Sequence, residues 1–249
     1  MSDTLLTNLE AGVLTLTFNR PQKKNAFTGE MYDAAARALL DADQNDAVRV
    51  VVLTGAGNTF TAGNDLKDFL ENPPTGESSV VFRFLRALAH HSRPIVAGVE
   101  GVAVGIGTTL LLHCDYVVAS ERATFIMPFI NLGLSPEGAS SVLLPRLAGM
   151  ALASELLMFG DPFDSATALR AGIINQVVPE ASLAEVVQKR AAALAAKPVE
   201  SLRLTKRLLR EPLHASVDEA LSREGAHFVQ RLGSTEAREA FNAFLSKKK

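Results

Sequence analysis

A chain of 249 residues, 47% hydrophobic and 21% charged, has the composition of an ordinary globular protein able to bury a substantial core. With 25 basic and 27 acidic residues its formal net charge is −2, so no global field favours nucleic acid or an anionic membrane surface. The single cysteine, Cys114, excludes an intrachain disulfide framework and fits a reducing compartment.

"TLLTNLE" and "VLTLTFNRP" read as two strands around an Ala-Gly turn, a hairpin that opens the fold. "TGEMYDAAARALLDADQND" has helical spacing in Met31, Ala35, Leu39 and Leu40, and begins at the capping residue Thr28. "VRVVVLTG" is a continuous β-branched run, the pattern of a strand buried on both faces. A helix is expected at 78–91, after which "PIVAGVEG" repeats the buried-strand pattern. "GIGTTLLLHC" is a short helix leading into a third such strand, "DYVVAS", with "ATFIMP" beyond. This recurring unit predicts an α/β fold with parallel strands, either a doubly wound sheet or a stack of ββα turns. After residue 150 the pattern turns helical, through "ALASELLMFG", "SATALRAG", "SLAEVVQKRAAALAAKP", "VESLRLTKRLLRE", "SVDEALSREGAHFVQRL" and "STEAREAFNAFLSKK". "IINQVVPE" is the one strand expected there, and Pro198 puts a boundary near 190–200.

No targeting segment is expected. The N-terminal "MSDTLLTNLEAG" lacks the layout of a signal or transit peptide, and the closing "SKKK" is not the Ser-Lys-Leu address. The apolar stretch "RPIVAGVEGVAVGIGTTLLLH" is broken by six glycines or charged residues, which argues against a membrane helix. A cytoplasmic protein with no membrane partner is the expectation.

Three segments carry candidate chemistry. "FTAGNDLKDF" follows a buried strand; Gly63 lets backbone approach a ligand, while the plainer reading is a turn with Asp65 capping a helix. "GVAVGIG" sits at the mouth of a helix beginning near Ile106, whose free N–H groups can hold an oxyanion. Its glycine spacing departs from the dinucleotide fingerprint, with Leu110 in the wrong place, so NAD binding is not expected. "NLGLSPEGASS" places Glu137 among apolar residues. Locally that is a helix start, with Ser135 as cap, Pro136 as first residue and Glu137 facing the dipole. A desolvated carboxylate there would also be a strong base near neutral pH. His90 and His91 end a helix, His113 packs beside Cys114, and "LRLTKRLLRE" reads as a solvated face on which Lys206 or Arg207 could meet a phosphate. No spacing suggests a metal site and no G-x-S-x-G elbow occurs.

Taken together and in order, "FNRPQKKNAF", "FTAGNDL", "PIVAGVEGVAVGIGTTLLLHCDYVVAS", "ATFIMPFINLGLSPEGASS" and "ALRAGIINQVVPE" resemble the enoyl-CoA hydratase/isomerase (crotonase) superfamily over roughly residues 10–180. The resemblance implies a crotonase-type spiral of ββα repeats with a C-terminal helical region, which selects the stacked option. It implies a core over 1–195 carrying an acyl-CoA site, a helical trimerisation region over 196–249, and assembly as homotrimers or dimers of trimers. Oxyanion donors map to the backbone N–H groups of Asn64 and Ile106. Substrate and CoA contacts map to Lys24, Ala26, Ala62, Gly63, Asp65, Leu66, Lys67, Gly105, Phe129 and Leu132.

The positions where a hydratase of this family holds its two glutamates are Thr109 and Phe129. The setting of Glu137 resembles instead the peroxisomal-type Δ3,Δ2-enoyl-CoA isomerases, in which that glutamate is the acid/base. What this implies is a single-carboxylate isomerisation of 3-enoyl-CoA to 2-trans-enoyl-CoA in fatty acid or related acyl-CoA catabolism, with no metal or added cofactor. Alternatives are hydratase or other thioester chemistry, including ring-modifying isomerisation, and a non-catalytic acyl-CoA-binding trimer. "ENPPTGESSVVFR", 70–82, reads as a mobile loop or lid.

Overall fold

The computed structural model describes residues 3–76 and 78–246. Glu77, within the 70–82 loop, lies outside the described residues, as do Met1, Ser2 and the lysines of the closing "SKKK".

β1 (Leu5–Glu10) and β2 (Val13–Phe18) pair antiparallel, as the hairpin reading expects. α1 (Gly29–Gln44) starts at Thr28, whose side chain accepts from the N–H of Met31. β3 (Val50–Gly55) then joins β2 in parallel. The helix expected at 78–91 is shorter, α3 (Val80–Ala89), and an extra helix, α2 (Leu66–Glu71), precedes it. β4 (Ile95–Val99) leads into β5 (Val102–Val104) and α4 (Ile106–Thr109); β6 (Tyr116–Ser120) leads into β7 (Thr124–Ile126) and α5 (Ser140–Phe159). β8 (Phe163–Asp164), α6 (Ser165–Arg170), β9 (Gln176–Val178) and α7 (Leu183–Ala195) follow, and α8 (Val199–Leu232) and α9 (Thr235–Ser246) close the chain.

The large sheet runs β1-β2-β3-β4-β6-β9 and a small sheet runs β5-β7-β8. In two successive turns the chain crosses from the large sheet to the small one and then enters a helix, so the α/β design is the ββα spiral rather than a doubly wound sheet. The central strands β3, β4 and β6 are buried on both faces, which is why they read as unbroken apolar runs. Val51, Leu53, Ile95, Ala97, Val117 and Ala119 join the main core with Ala35 and Leu39 of α1. Val50, Val52, Val96 and Val118 meet α7, whose Leu183, Val187, Ala191 and Ala195 recur every fourth residue. Each larger side chain among these contributes about 1.5–3 kcal/mol of burial.

Two sequence expectations change in the helical half. "VESLRLTKRLLRE" and "SVDEALSREGAHFVQRL" form one helix, because Pro212 lies on an exposed side where the carbonyl it frees can face solvent. The "LRLTKRLLRE" face is not simply solvated. Lys206 is buried, bonding Asp115 at 2.7 Å and the Arg93 carbonyl at 2.7 Å. Arg210 of the same stretch donates to the carbonyls of Leu112 and Cys114. Further along, α8 folds back over its own core. Gly225 lies so close to the Phe82 ring that any Cβ would collide with it, and Ala237 of α9 packs on Gly133.

Among the described residues one helix, Ser140–Phe159, is long and apolar enough to cross a membrane by length and composition. Gly149, with φ 75° and ψ 158°, breaks it in two, and Leu143, Leu144, Ala153 and Leu156 face the core.

Candidate active site

The loop after β3 is pinned from both sides. The Ala62 N–H donates to the Lys24 carbonyl at 2.8 Å, Phe27 N–H to Gly63 at 2.7 Å, and Asp65 N–H to Phe27 at 2.8 Å. Arg20 fastens the same pair of segments, donating to the Ala26 carbonyl at 2.5 Å and pairing with Asp65 at 3.0 Å. On the other flank, Thr61 N–H donates to Val102 and Val104 N–H to Thr61, both at 3.0 Å. Gly63 has φ 81°, and a Cβ on it would sit 2.5 Å from the Val104 carbonyl oxygen. Only glycine fits both constraints.

This pinning leaves the next N–H, that of Asn64, with no acceptor among the described residues. Ile106 is the first residue of α4, after Gly105, and its N–H is likewise without one, as the first turn of a helix requires. Two unspent backbone donors on touching loops are what an oxyanion needs. Asp65 caps α2 by accepting from Lys67 and Asp68, as its local sequence predicts. Leu66 opens that helix half-buried. Lys24 and Lys67 are exposed, Lys67 with Glu71 at 3.8 Å.

Glu137 is not a helix start. α5 begins three residues later, at Ser140, so neither Ser135 nor Pro136 holds the capping position the local sequence suggested. The anion at that helix start is Glu224 of α8, which accepts from the N–H groups of Ala139 at 2.7 Å and Ser141 at 2.9 Å. Glu137 is thereby left to face a cavity, 9% exposed, with the Thr109 hydroxyl donating to it at 2.5 Å. Burial raises its pKa from 4.5 to about 8; the Thr109 bond opposes the rise and the charge of Glu224 adds to it.

The cavity brings Glu137 and Asn64 together with Tyr32, Phe69, Pro74, Val81, Phe82, Leu85, Gly138, Leu221, Gly225 and Phe228. Of the expected site residues only Glu137 and Asn64 line it; Ile106, Gly105, Phe129 and Leu132 are not in this lining, nor are Lys24, Ala26, Ala62, Gly63, Asp65, Leu66 and Lys67. Phe129 is buried behind it, its ring 3.9 Å from where a Gly105 Cβ would stand and 6.5 Å from the Phe228 ring. Leu132 is partly buried in the turn Ile130–Leu132. Sequence reasoning passed over Tyr32, whose hydroxyl donates to the Asn64 side-chain oxygen at 2.5 Å. A tyrosine on the buried stripe with Met31, Ala35 and Leu39 needs a partner for its hydroxyl, and that was the available signal. Burial, and next Glu137, raise the Tyr32 pKa well above its ordinary value, so the phenol stays neutral. His113, bonded to the Gly138 carbonyl at 2.8 Å, is pushed down to about 4 by burial and is neutral too.

Comparison with known proteins agrees with the geometry. A family model described as enoyl-CoA hydratase/isomerase matches residues 8–249. The chain is 38% identical to human enoyl-CoA delta isomerase 2 over 258 residues, spanning 99% of this chain and 64% of that protein. It is equally 38% identical to the 1,2-epoxyphenylacetyl-CoA isomerase of Escherichia coli strain K12, spanning 100% of this chain and 97% of the relative. Among solved structures, Pseudomonas aeruginosa OdaA superposes with a TM-score of 0.96 at 44% identity, covering 98% of this chain and 99% of that one.

Proposed function

The chain belongs to the enoyl-CoA hydratase/isomerase family, and from that premise we propose that it moves the double bond of a 3-enoyl-CoA into conjugation with the thioester, with Glu137 as the one acid/base. The observation that carries this is the cavity itself. Among the described residues Glu137 is the only carboxylate lining it, and the sequence resemblance puts Thr109 and Phe129 where a hydratase of the family holds its two glutamates.

In this reading Glu137 removes a proton from C2, and negative charge moves onto the thioester oxygen, held by the N–H groups of Asn64 and Ile106. The same carboxyl gives the proton to C4. One proton changes place and the double bond moves one carbon, so the step balances without water, oxidant or reductant. The apolar lining keeps water from the dienolate and keeps Glu137 basic. Lys24 and Lys67, exposed on neighbouring segments, suit the CoA phosphates. Exposed Leu204, Leu208 and Leu209 on α8, with Met150, Met158 and Phe159 on α5, support assembly as a trimer or pair of trimers through the 196–249 region and α5.

A second reading has its own support. The aromatic lining, Tyr32, Phe69, Phe82 and Phe228, together with the Escherichia coli relative, favours cyclic acyl groups as substrates of the same double-bond migration.

The test is the near-UV absorbance rise when trans-3-hexenoyl-CoA becomes conjugated, followed across pH. Glu137 acts as base only when ionised, and its pKa is raised to about 8. The rate therefore climbs with pH and levels off above about 8. A profile already flat from about pH 5 upward would contradict a base whose pKa is raised by burial in this cavity. Thr109→Val, nearly the same shape, deletes the hydrogen bond that favours the charged form. Its limb is expected at higher pH than wild type, with kcat about tenfold lower at neutral pH.

A further inference from the structure

We propose that Glu224 is a positioning residue for Glu137: it fastens the segment that carries the base to α8 and holds a negative charge beside it. The proposal deepens the isomerase reading and rests on it.

Three contacts carry it. The carboxylate of Glu224 accepts from the N–H groups of Ala139 and Ser141, at 2.7 and 2.9 Å, across more than eighty residues of chain. Ala139 has φ 58°, a left-handed conformation that a residue with a Cβ keeps only when held from outside. Two turns further along α8, Arg231 donates to the Gly133 carbonyl at 2.9 Å. One helix thus grips both ends of the segment 133–141, with Glu137 in its middle. A base misplaced by an ångström loses about a hundredfold in rate, so this grip bears directly on catalysis.

Charge is the second half. Glu224 is 6% exposed and has no ion-pair partner among the described residues; its neighbour Arg223 pairs with Glu219 instead. Burial raises its pKa, and the N–H groups of Ala139 and Ser141, which its two oxygens accept, oppose that rise by favouring the charged form. The titratable groups facing Glu137 come from three directions: Tyr32 on α1, His113 on the turn after α4, and Glu224 on α8. Tyr32 and His113 are neutral near pH 7, and the cations behind His113, Lys206 and Arg210, are paired with Asp115. Burial does most to raise the Glu137 pKa, and among the charged groups around it Glu224 adds to that rise, helping the carboxyl to hold a proton between C2 and C4.

Two variants separate grip from charge. Glu224→Gln removes the charge and keeps one acceptor; Glu224→Asp keeps the charge and withdraws it by one methylene. Each is read by the pH–rate profile with trans-3-hexenoyl-CoA, and by NMR titration of carboxyl-labelled glutamate in the whole protein. The Glu137 resonance is identified by its loss in Glu137→Gln. Glu224→Gln is expected to move both the Glu137 titration and the acid limb of the profile to lower pH, with kcat lowered about tenfold. Glu224→Asp is expected to lower kcat about tenfold with the limb unmoved, and it carries the test should the Gln variant fail to fold. Wild-type kcat and an unmoved titration in both variants would overturn the proposal. So would a loss of kcat that only follows a loss of melting temperature, since that is what a structural cap alone would give. If the wild type does not isomerise the substrate while Glu224→Gln still shifts the Glu137 titration, the isomerase reading fails and the coupling of the two carboxylates stands.

Discussion

Glu137→Gln is expected to lower kcat on a 3-enoyl-CoA by about a thousandfold or more, within the range a positioned base supplies, while leaving CoA-ester binding near the wild-type value. Steady-state kinetics and direct binding of a saturated acyl-CoA separate the two; equal loss of both would mean that Glu137 holds structure rather than moves protons. The same substitution is expected to stabilise the protein in alkali. Glu137 has a folded pKa of about 8 against an ordinary 4.5, so the folded state holds its proton more tightly than the unfolded chain does. That stabilisation is complete below the ordinary value and is lost as pH rises through the folded one. The loss is on the order of 5 kcal/mol, and a Gln that cannot ionise does not suffer it. Melting temperatures of the two proteins should converge in acid, part progressively as pH rises from about 4.5 to about 8 and stay apart above that, the Gln variant melting higher.

Gly63→Ala is expected to cost the second largest effect, about a hundredfold or more in kcat, the usual price of a displaced oxyanion donor. The new Cβ would meet the Val104 carbonyl at 2.5 Å from a backbone with φ 81°. The loop must move, and with it the Asn64 N–H. Because the donor serves charge that develops only as the proton leaves, kcat should fall more than KM rises. A variant with normal kcat and raised KM would show that the loop binds substrate without holding the oxyanion.

Much of the framework is legible in local sequence because the forces that make it are local. The Val-rich runs at 50–53 and 95–99 announce strands buried on both faces, and Thr28 and Asp65 announce helix starts. The start of α5 was not legible, since "SPEG" offers a cap, a proline and an acid in the right order. The helix instead begins at Ser140, with its anion supplied by Glu224 from α8. A trace of this exists in the sequence: Glu224 interrupts an apolar stripe formed by Ala220, Leu221, Gly225 and Phe228, and a charge in such a stripe has a partner to find. Lys206 was hidden in the same way, its partner Asp115 lying some ninety residues earlier. The aromatic wall of the cavity draws Phe69, Phe82 and Phe228 from three different helices, and no spacing within one element could have gathered them.

The most direct measurement is the fate of trans-3-hexenoyl-CoA incubated with the protein in water labelled with heavy oxygen, read by absorbance and product mass. A single carboxylate that only relocates a proton predicts a conjugated 2-enoyl thioester of unchanged mass and no labelled oxygen, and no such product with Glu137→Gln. A hydroxyacyl thioester carrying the label as the main product, or conversion that survives in Glu137→Gln, would contradict it.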